Sequence, residues 1–416
     1  MKKSILGKVL ERCIHGLNIY DMNPLRRNEV QNEAFNAWLS KGKFGTVEIV
    51  TGLGKTFIWL KALHSMPKND GKIHLFLAEV VDRMADVKKS IETFDNIFKK
   101  NTLKDYEVVF GTYQGACKKV YDNLGLVGAD EIHDSMTPEY SKFFLHNAYD
   151  ALIGLTATVN KDVSYTKQNK TKGDYLDEYA PVVFTYGIVQ ARKEKTTREL
   201  VIEIIDHQLD STNKTIKAGS PKKPFYTTEK AQYDYYNKRI AKLKIESSKF
   251  NVNAFIKNNQ ASFDMAMNSE KTLKALYNAR AKFLWGLPSK VKITTDLLSK
   301  DIGKTIVFGN DLTMLTKVTP HVLSSRKSAK TNEDMRKKFD SGEIQVIGSF
   351  KKLKQGATLG DDLDCCIIMS YYSLPGDFIQ RIGRLRDNGT IGKVYIIRTL
   401  GTQEESWVET MMESFK

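Results

Sequence analysis

Thr46-Val47-Glu48-Ile49-Val50-Thr51-Gly52-Leu53-Gly54-Lys55-Thr56 is the stretch whose reading decides the fold class. A β-branched run reads as a buried strand, and a helical stretch follows from Phe57 to Ser65. Between them lies a turn with two glycines. That strand–turn–helix context is what a phosphate loop requires. Glycines let backbone N–H groups approach phosphate oxygens, and the helix N-terminus adds a positive dipole. Thr51, Gly52, Leu53 and Gly54 would form the cradle, Lys55 would reach the β- and γ-phosphates, and Thr56 would ligate Mg²⁺. The fuller pattern has Gly or Ala six residues before the lysine, where this chain has Ile49. A glycine turn ending in a surface lysine is the plainer alternative.

Outward from this turn, the apolar runs Ile73–Ala78, Tyr106–Phe110, Leu124–Val127 and Ala151–Leu155 alternate with helical or polar segments. Gln31–Leu39, with Ala34, Phe35, Ala37, Trp38 and Leu39, reads as an amphipathic helix. Strands alternating with helices predict a parallel sheet in an α/β domain. After Thr158 the pattern changes. Residues 160–178 are polar and read as a loop, Val182–Phe184 and Leu200–Ile205 as strands, and 211–224 as a basic loop. Residues 228–286 lack strand signals and read as a helical insertion. A second α/β pattern resumes with Thr305–Phe308, Ile344–Ile347, Cys365–Met369 and Val394–Ile397. The division expected is a short appendage at 1–23, one lobe at 24–180 and a second at 181–416 that carries the insertion.

The 416 residues, 41% hydrophobic and 27% charged, exclude a disordered or fibrous chain. The longest apolar run, Cys365–Met369, is far short of the roughly 18 residues of a membrane span. Charges at Lys8, Glu11 and Arg12 interrupt any signal-peptide core, so a cytoplasmic location is expected, the host's if the gene is a phage's. Four cysteines, Cys13, Cys117, Cys365 and Cys366, make neither a disulfide framework nor a zinc pattern and read as small buried hydrophobes. The formal net charge of +15 suits a polyanion such as nucleic acid, though it would also suit an anionic membrane surface, so motifs must decide.

Two further motifs carry chemistry. Asp130-Glu131-Ile132-His133 ends an apolar run, where Asp130 would hold Mg²⁺ through water and Glu131 would orient and deprotonate an attacking water. A solvated acidic loop is the alternative. Gln380-Arg381-Ile382-Gly383-Arg384-Leu385-Arg386 puts three arginines around a glycine, able to serve the phosphates of a nucleotide bound on the opposite lobe. A basic solvated turn is its plain counterpart. Thr156-Ala157-Thr158 gains meaning only from its place downstream of Asp130.

Taken together and in order, these motifs resemble superfamily 2 helicases of the Asp-Glu-x-His type, over about Arg26 to Arg398. Compact size makes the chain most similar to phage-type helicases that remodel branched DNA. In that resemblance Thr51–Thr56 is motif I, Ala78–Arg83 motif Ia and Thr112-Tyr113-Gln114 motif Ib. Asp130–His133 is motif II and Thr156–Thr158 motif III. Ile306–Gly309 is motif IV, Phe350–Leu359 motif V with Gly356 and Thr358 at its core, and Gln380–Arg386 motif VI. Motif VI commonly reads Gln-Arg-x-Gly-Arg-x-x-Arg, whereas here Asp387 takes the last position and Arg386 precedes it. Arg384 or Arg386 would be the finger, with Gln380 beside it. Gln31, with Arg27 nearby, would read adenine, although their spacing departs from the family's. His133 would link the nucleotide site to the other lobe.

The resemblance implies two RecA-like lobes of parallel sheet flanked by helices, with ATP and Mg²⁺ at their interface and nucleic acid across both. Arg83, Thr112, Gln114, Thr156, Thr158, Lys351, Lys352, Lys354 and Thr358 are its expected nucleic-acid contacts. The function it implies is an ATP-dependent helicase or translocase on forked, branched or duplex DNA, in replication, recombination or repair, monomeric or weakly associating. The alternatives are an RNA helicase or RNA-dependent ATPase, a nucleic-acid-binding or annealing protein with a degenerate ATPase, and the motor of a restriction-type complex. Arg192–Lys195 and Lys214–Lys223 read as solvated basic segments. Tyr226, Tyr233, Tyr235 and Tyr236 stand among lysines, as base-stacking aromatics do, but at helical spacing they read first as partial core.

Overall fold

The computed structural model describes residues 24–157, 161–257, 260–350, 362–371, 378, 381–385 and 390–413. Within them lie two six-stranded sheets. The first comprises β1 (Phe44–Ile49), β2 (Ile73–Ala78), β3 (Glu107–Thr112), β4 (Leu124–Asp130), β5 (Tyr149–Thr156) and β8 (Val182–Tyr186), in the order β3-β2-β4-β5-β1-β8. All its pairings are parallel. Between β5 and β8 sits a small antiparallel pair, β6 (Ser164–Tyr165) and β7 (Lys170–Thr171).

The second sheet comprises β9 (Leu200–His207), β12 (Thr305–Gly309), β13 (Val322–Ser324), β14 (Val346–Phe350), β15 (Cys365–Ile368) and β16 (Gly392–Thr399). Its order is β13-β14-β12-β15-β16-β9, again all parallel. Between β9 and β12 the chain leaves the sheet. It forms an antiparallel ribbon of β10 (Ile216–Ser220) and β11 (Lys223–Thr227), then two long helices, Glu229–Lys257 and Gln260–Trp285.

Both sheets are covered on both faces, which is why their strands read as continuous apolar runs. Along β2 the side chains alternate between two cores. Phe76 and Ala78 pack with Val47, Ile58 and Ile153. Leu75 and Leu77 pack with Val127, Phe143 and Leu152. In the second sheet Ile306, Cys366 and Ile368 share one core, and Val307, Cys365 and Ile367 the other. Cys365 and Cys366 are buried on opposite faces, and burial pushes both thiols up, so neither is a ready thiolate. Cys117 is half-buried and Cys13 lies outside the described residues.

Three sequence expectations need correction. The segment 160–178 is not a plain loop: β6 and β7 pair, and the helix Lys172–Tyr179 opens with a capping box between Thr171 and Asp174. The basic segment 211–224 holds most of the β10–β11 ribbon. β8 completes the first sheet, which therefore extends past the boundary expected at residue 180. No described helix is long and apolar enough to cross a membrane.

Candidate active site

Strand order assembles the site. β4, β5 and β1 are neighbours, so the chain segments leaving their carboxyl ends converge, as ligand sites in open parallel sheets do. The register sets Glu48 of β1 beside Thr156 of β5, and Asp130 of β4 beside Leu155.

The turn after β1 contains Gly52 at φ +92° and Gly54 at φ +81°, both left-handed. At Gly54 a Cβ would meet Gln31 Nε2 at 2.8 Å, so a side chain there would displace the Gln31 amide as well as strain the left-handed backbone. Gln31 is buried and donates Nε2 to the Leu53 carbonyl at 2.8 Å. It braces the turn from the helix Pro24–Ser40. Lys55 opens the next helix, Lys55–Leu63, and both Lys55 and Thr56 are buried.

At the end of β4 two carboxylates each meet a cation. Lys55 Nζ lies 2.6 Å from Glu131 Oε1. Arg83 Nε lies 2.6 Å from Asp130 Oδ2, and its Nη2 donates to Thr56 Oγ1 at 3.2 Å. Glu131 stands at φ 47°, ψ 53°, a left-handed conformation that costs a non-glycine residue of order 1 kcal/mol. The conformation turns its carboxylate back over β5. There Oε2 accepts from Thr156 Oγ1 at 3.3 Å and from the Ala157 N–H at 3.4 Å. Burial alone would push the Glu131 carboxyl up. The Lys55 ammonium, His133 and the Ala157 N–H outweigh it and hold the carboxyl below its usual range. Burial likewise works against the Arg83 charge, and Asp130 more than restores it. Tyr113, fully buried, donates its hydroxyl to the Asp130 carbonyl at 2.8 Å and fixes the strand end.

Asp130 Oδ1 is buried and has no hydrogen-bond partner. A buried carboxylate oxygen left open, one side chain away from the Thr56 hydroxyl, is a donor set that fits a hard divalent cation. Among the described residues no cluster of three or more His, Cys, Asp or Glu offers an all-protein metal cage.

Arg83 was expected on nucleic acid, but its guanidinium is spent on Asp130 and Thr56, because β2 and β4 are sheet neighbours. Thr156 was also expected on nucleic acid. It is fully buried, and its hydroxyl sits between Glu131 and His133 Nδ1, the latter at 2.8 Å. His133 finds its polar neighbours Glu131, Asp134 and Thr156 within the first lobe. Gln31 supports the phosphate turn, and Arg27 lies half-buried on the same helix. Thr112 caps the short helix Tyr113–Ala116 by accepting from the Gly115 N–H, and Gln114 is exposed beside it.

On the second lobe Arg381 is buried. It donates to the Ser370 carbonyl at 3.0 Å and to Asn310 Oδ1 at 3.4 Å, and it lies over the Phe308 ring. Arg381 thus holds the motif to its sheet, and of the three arginines it is not available to phosphate. Arg384 lies one turn on and is half-buried. Thr158, Lys351, Lys352, Lys354, Gly356, Thr358, Gln380 and Arg386 lie outside the described residues. Sequence reasoning missed Tyr113 and the pairing of Arg83 with Asp130 and Thr56. Only the strand order reveals either, and no local signal in the sequence encodes it.

Residues 25–161 match the family model of the type III restriction enzyme res subunit. No curated protein sequence matches the chain. Among solved structures, a Saccharomyces cerevisiae Dbp5 variant bound to RNA and ADP BeF3 aligns with a TM-score of 0.57 at 12% identity, over 93% of this chain and 87% of that one. The Pyrococcus furiosus Hef helicase domain aligns at 0.52 and 14% identity, over 93% and 97%. The ATP-dependent type ISP restriction-modification enzyme LlaBIII, bound to DNA, aligns at 0.55 and 14% identity, over 93% of this chain but 29% of its own. The fold of this chain is the two-lobed fold that these structures share, and its first lobe is similar to the res subunit of type III restriction enzymes.

Proposed function

We propose that this chain is an ATP-driven nucleic-acid motor of the superfamily 2 kind, of the Asp-Glu-x-His type, acting on forked or branched DNA. One observation carries the reading. A lysine and a threonine on a phosphate-type turn lie beside two consecutive carboxylates, each already holding a cation, at the carboxyl ends of β1 and β4, the parallel strands on either side of β5. That is the arrangement phosphoryl transfer to water needs.

In this reading Thr56 and Asp130 hold Mg²⁺, which when bound neutralises phosphate charge. Lys55 exchanges Glu131 for a phosphate oxygen. Glu131, still held at Oε2 by Thr156 and the Ala157 N–H, then has Oε1 free to orient the attacking water and take its proton. Its depressed pKa makes it a weak base, and the loss of Lys55 to phosphate raises that basicity when a nucleotide is present. Arg384 or Arg386 supplies the positive charge from the second lobe. Closing and reopening of the lobes with each hydrolysis moves the chain along the strand.

DNA is favoured over RNA by the match of residues 25–161 to a restriction-enzyme subunit and by the likeness to DNA-bound LlaBIII. The likeness to RNA-bound Dbp5 supports an RNA-dependent ATPase as the second reading. Steady-state ATP hydrolysis decides, measured without nucleic acid and with single-stranded, duplex and forked DNA or single-stranded RNA. Stimulation greatest with the fork supports the proposal. Stimulation by RNA alone replaces it, and no turnover under any condition refutes a motor.

A further inference from the structure

The β10–β11 ribbon belongs to neither six-stranded sheet. Residues 211–227 contain Lys214, Lys217, Lys222 and Lys223 and no Asp or Glu. All four lysines are exposed, and none has an ion-pair partner among the described residues. Phe225 and Tyr226 on β11 are 55% and 62% exposed, among the most exposed large hydrophobic side chains described.

The register distributes these groups evenly. Lys217 faces Tyr226 across the ribbon, Ala218 faces Phe225, and Ser220 faces Lys223. Because side chains alternate along a strand, Tyr226 and Lys217 share one face, and Phe225 and Lys223 share the other. Each face therefore offers one ring and one unpaired cation.

An isolated two-stranded ribbon is marginal in water, yet this one has a firm base. Buried Glu229 accepts from the Asp210 and Ser289 N–H groups and from the Ser289 hydroxyl. Asp210 in turn accepts from the Thr212 and Asn213 N–H groups. The stem is clamped to the start of the helix Pro288–Leu298 while the tip stays bare. The same chemistry continues along the helix Glu229–Lys257, where half-exposed Tyr235 lies under the Arg239 guanidinium.

Exposed rings on a surface without acidic residues need a partner that is anionic and presents flat apolar faces. Unpaired nucleic acid is that partner, since every base has a π-face and every linkage a phosphate. We propose that the β10–β11 ribbon is a nucleic-acid-binding element apart from the two lobes, with Phe225 and Tyr226 stacking on unpaired bases and Lys217 and Lys223 holding the adjoining phosphates. The proposal rests on the nucleic-acid reading above and locates where that motor grips single strands.

The test uses the full chain without nucleotide, and fluorescence anisotropy with labelled oligothymidylate, oligouridylate and a blunt DNA duplex. The variants are Phe225→Ala with Tyr226→Ala, and Lys217→Gln with Lys223→Gln. The aromatic pair is expected to lose at least about thirtyfold in single-strand affinity, with little change on duplex and an unchanged salt slope. The lysine pair is expected to flatten the dependence of log K on log salt by roughly 0.7 for each lysine removed. Tyr226→Trp should retain affinity, and its fluorescence should be quenched by the single strand. Basal ATP hydrolysis of every variant should match the parent, which reports intact folding. A parent that binds and variants that bind equally well overturn the ribbon assignment alone. A parent that binds no nucleic acid overturns the motor reading with it.

Discussion

Replacing Arg83 with alanine removes the cation that joins Asp130 to Thr56. Arg83 contributes one charge-assisted bond of 2.6 Å to Asp130 and a longer one of 3.2 Å to Thr56, with both charged partners largely buried. A hydrogen bond between charged groups is worth about 1.5–3 kcal/mol, and each 1.4 kcal/mol is tenfold in an equilibrium constant. A divalent ion bound to Thr56 and Asp130 would compete with that guanidinium. Without it, the Mg²⁺ concentration that half-saturates ADP binding should fall by about 10- to 100-fold. The same loss leaves Asp130 as an uncompensated buried charge, so the ligand-free protein should unfold several degrees lower, on the order of 3 kcal/mol less stable. Mg²⁺ with ADP should then raise the melting temperature of the variant by more than that of the parent. Calorimetric titration of ADP at stepped Mg²⁺, with thermal unfolding in parallel, reads both effects. Arg83→Lys, which keeps the charge but not the planar fork that reaches both partners, should fall between them. An unchanged Mg²⁺ midpoint together with an unchanged ligand-induced melting shift would refute the reasoning. If nucleic-acid affinity fell instead, Arg83 would return to the backbone-contact role read from its sequence motif.

Other outcomes follow from the same geometry. Glu131→Gln should bind ATP and turn it over at least about a hundredfold more slowly, the lower end of a general base's contribution, as seen in single-turnover phosphate release. Lys55→Ala should lose productive nucleotide binding and also raise the acidity midpoint of Glu131, which infrared titration of the carboxyl would follow. Lys290 and Glu404 form a fully buried pair at 2.6 Å, with Thr399 donating to the same carboxylate. Lys290→Ala should therefore cost roughly 3–5 kcal/mol in denaturant unfolding, while Lys290→Met with Glu404→Leu should recover most of it. His207 is held down to about 4, first by burial and then by Lys290, so its neutral form is the one the fold prefers. Its contribution is present above the unfolded value of 6.5 and is lost as pH falls toward 4. Between pH 7 and 5 it should remove about 2 kcal/mol, a loss absent in His207→Gln.

How much could be read from the chain depends on the range of the interaction involved. The strand–turn–helix at Thr46–Thr56 is a local pattern, and so are the two α/β series and the long helices of the insertion; all of them stand in the structure. The ribbon at 216–227, with three lysines, two prolines and a glycine, and the capped helix at 172–179, with one lysine and three carboxylates, were hidden by compositions rich in polar and turn-forming residues. Such composition resembles a loop whenever pairing or capping, and not burial, supplies the order. β8 was assigned to the wrong side of a boundary because a strand carries no mark of which sheet it will join. Arg83 shows the same limit at the level of one side chain. Its motif places it after a strand, and only the order β3-β2-β4-β5-β1-β8 brings the end of that strand beside Asp130.

Strand order also accounts for the chemistry of the site. β4 lies between β2 and β5, so its carboxyl end receives one cation-bearing segment from the β2 side and the hydroxyl of Thr156 from the β5 side. Lys55 reaches Glu131 from β1, one strand further on. Two buried carboxylates in sequence would repel each other and resist burial, and two cations from different strands offset that cost. Those cations belong to side chains that a polyphosphate and its counter-ion would displace, one carboxylate at a time. A site assembled this way offsets its own buried charges, and in the proposed reading the same charges match a nucleotide and its counter-ion. Its grip on nucleotide should therefore weaken with each protein cation that is made harder to displace.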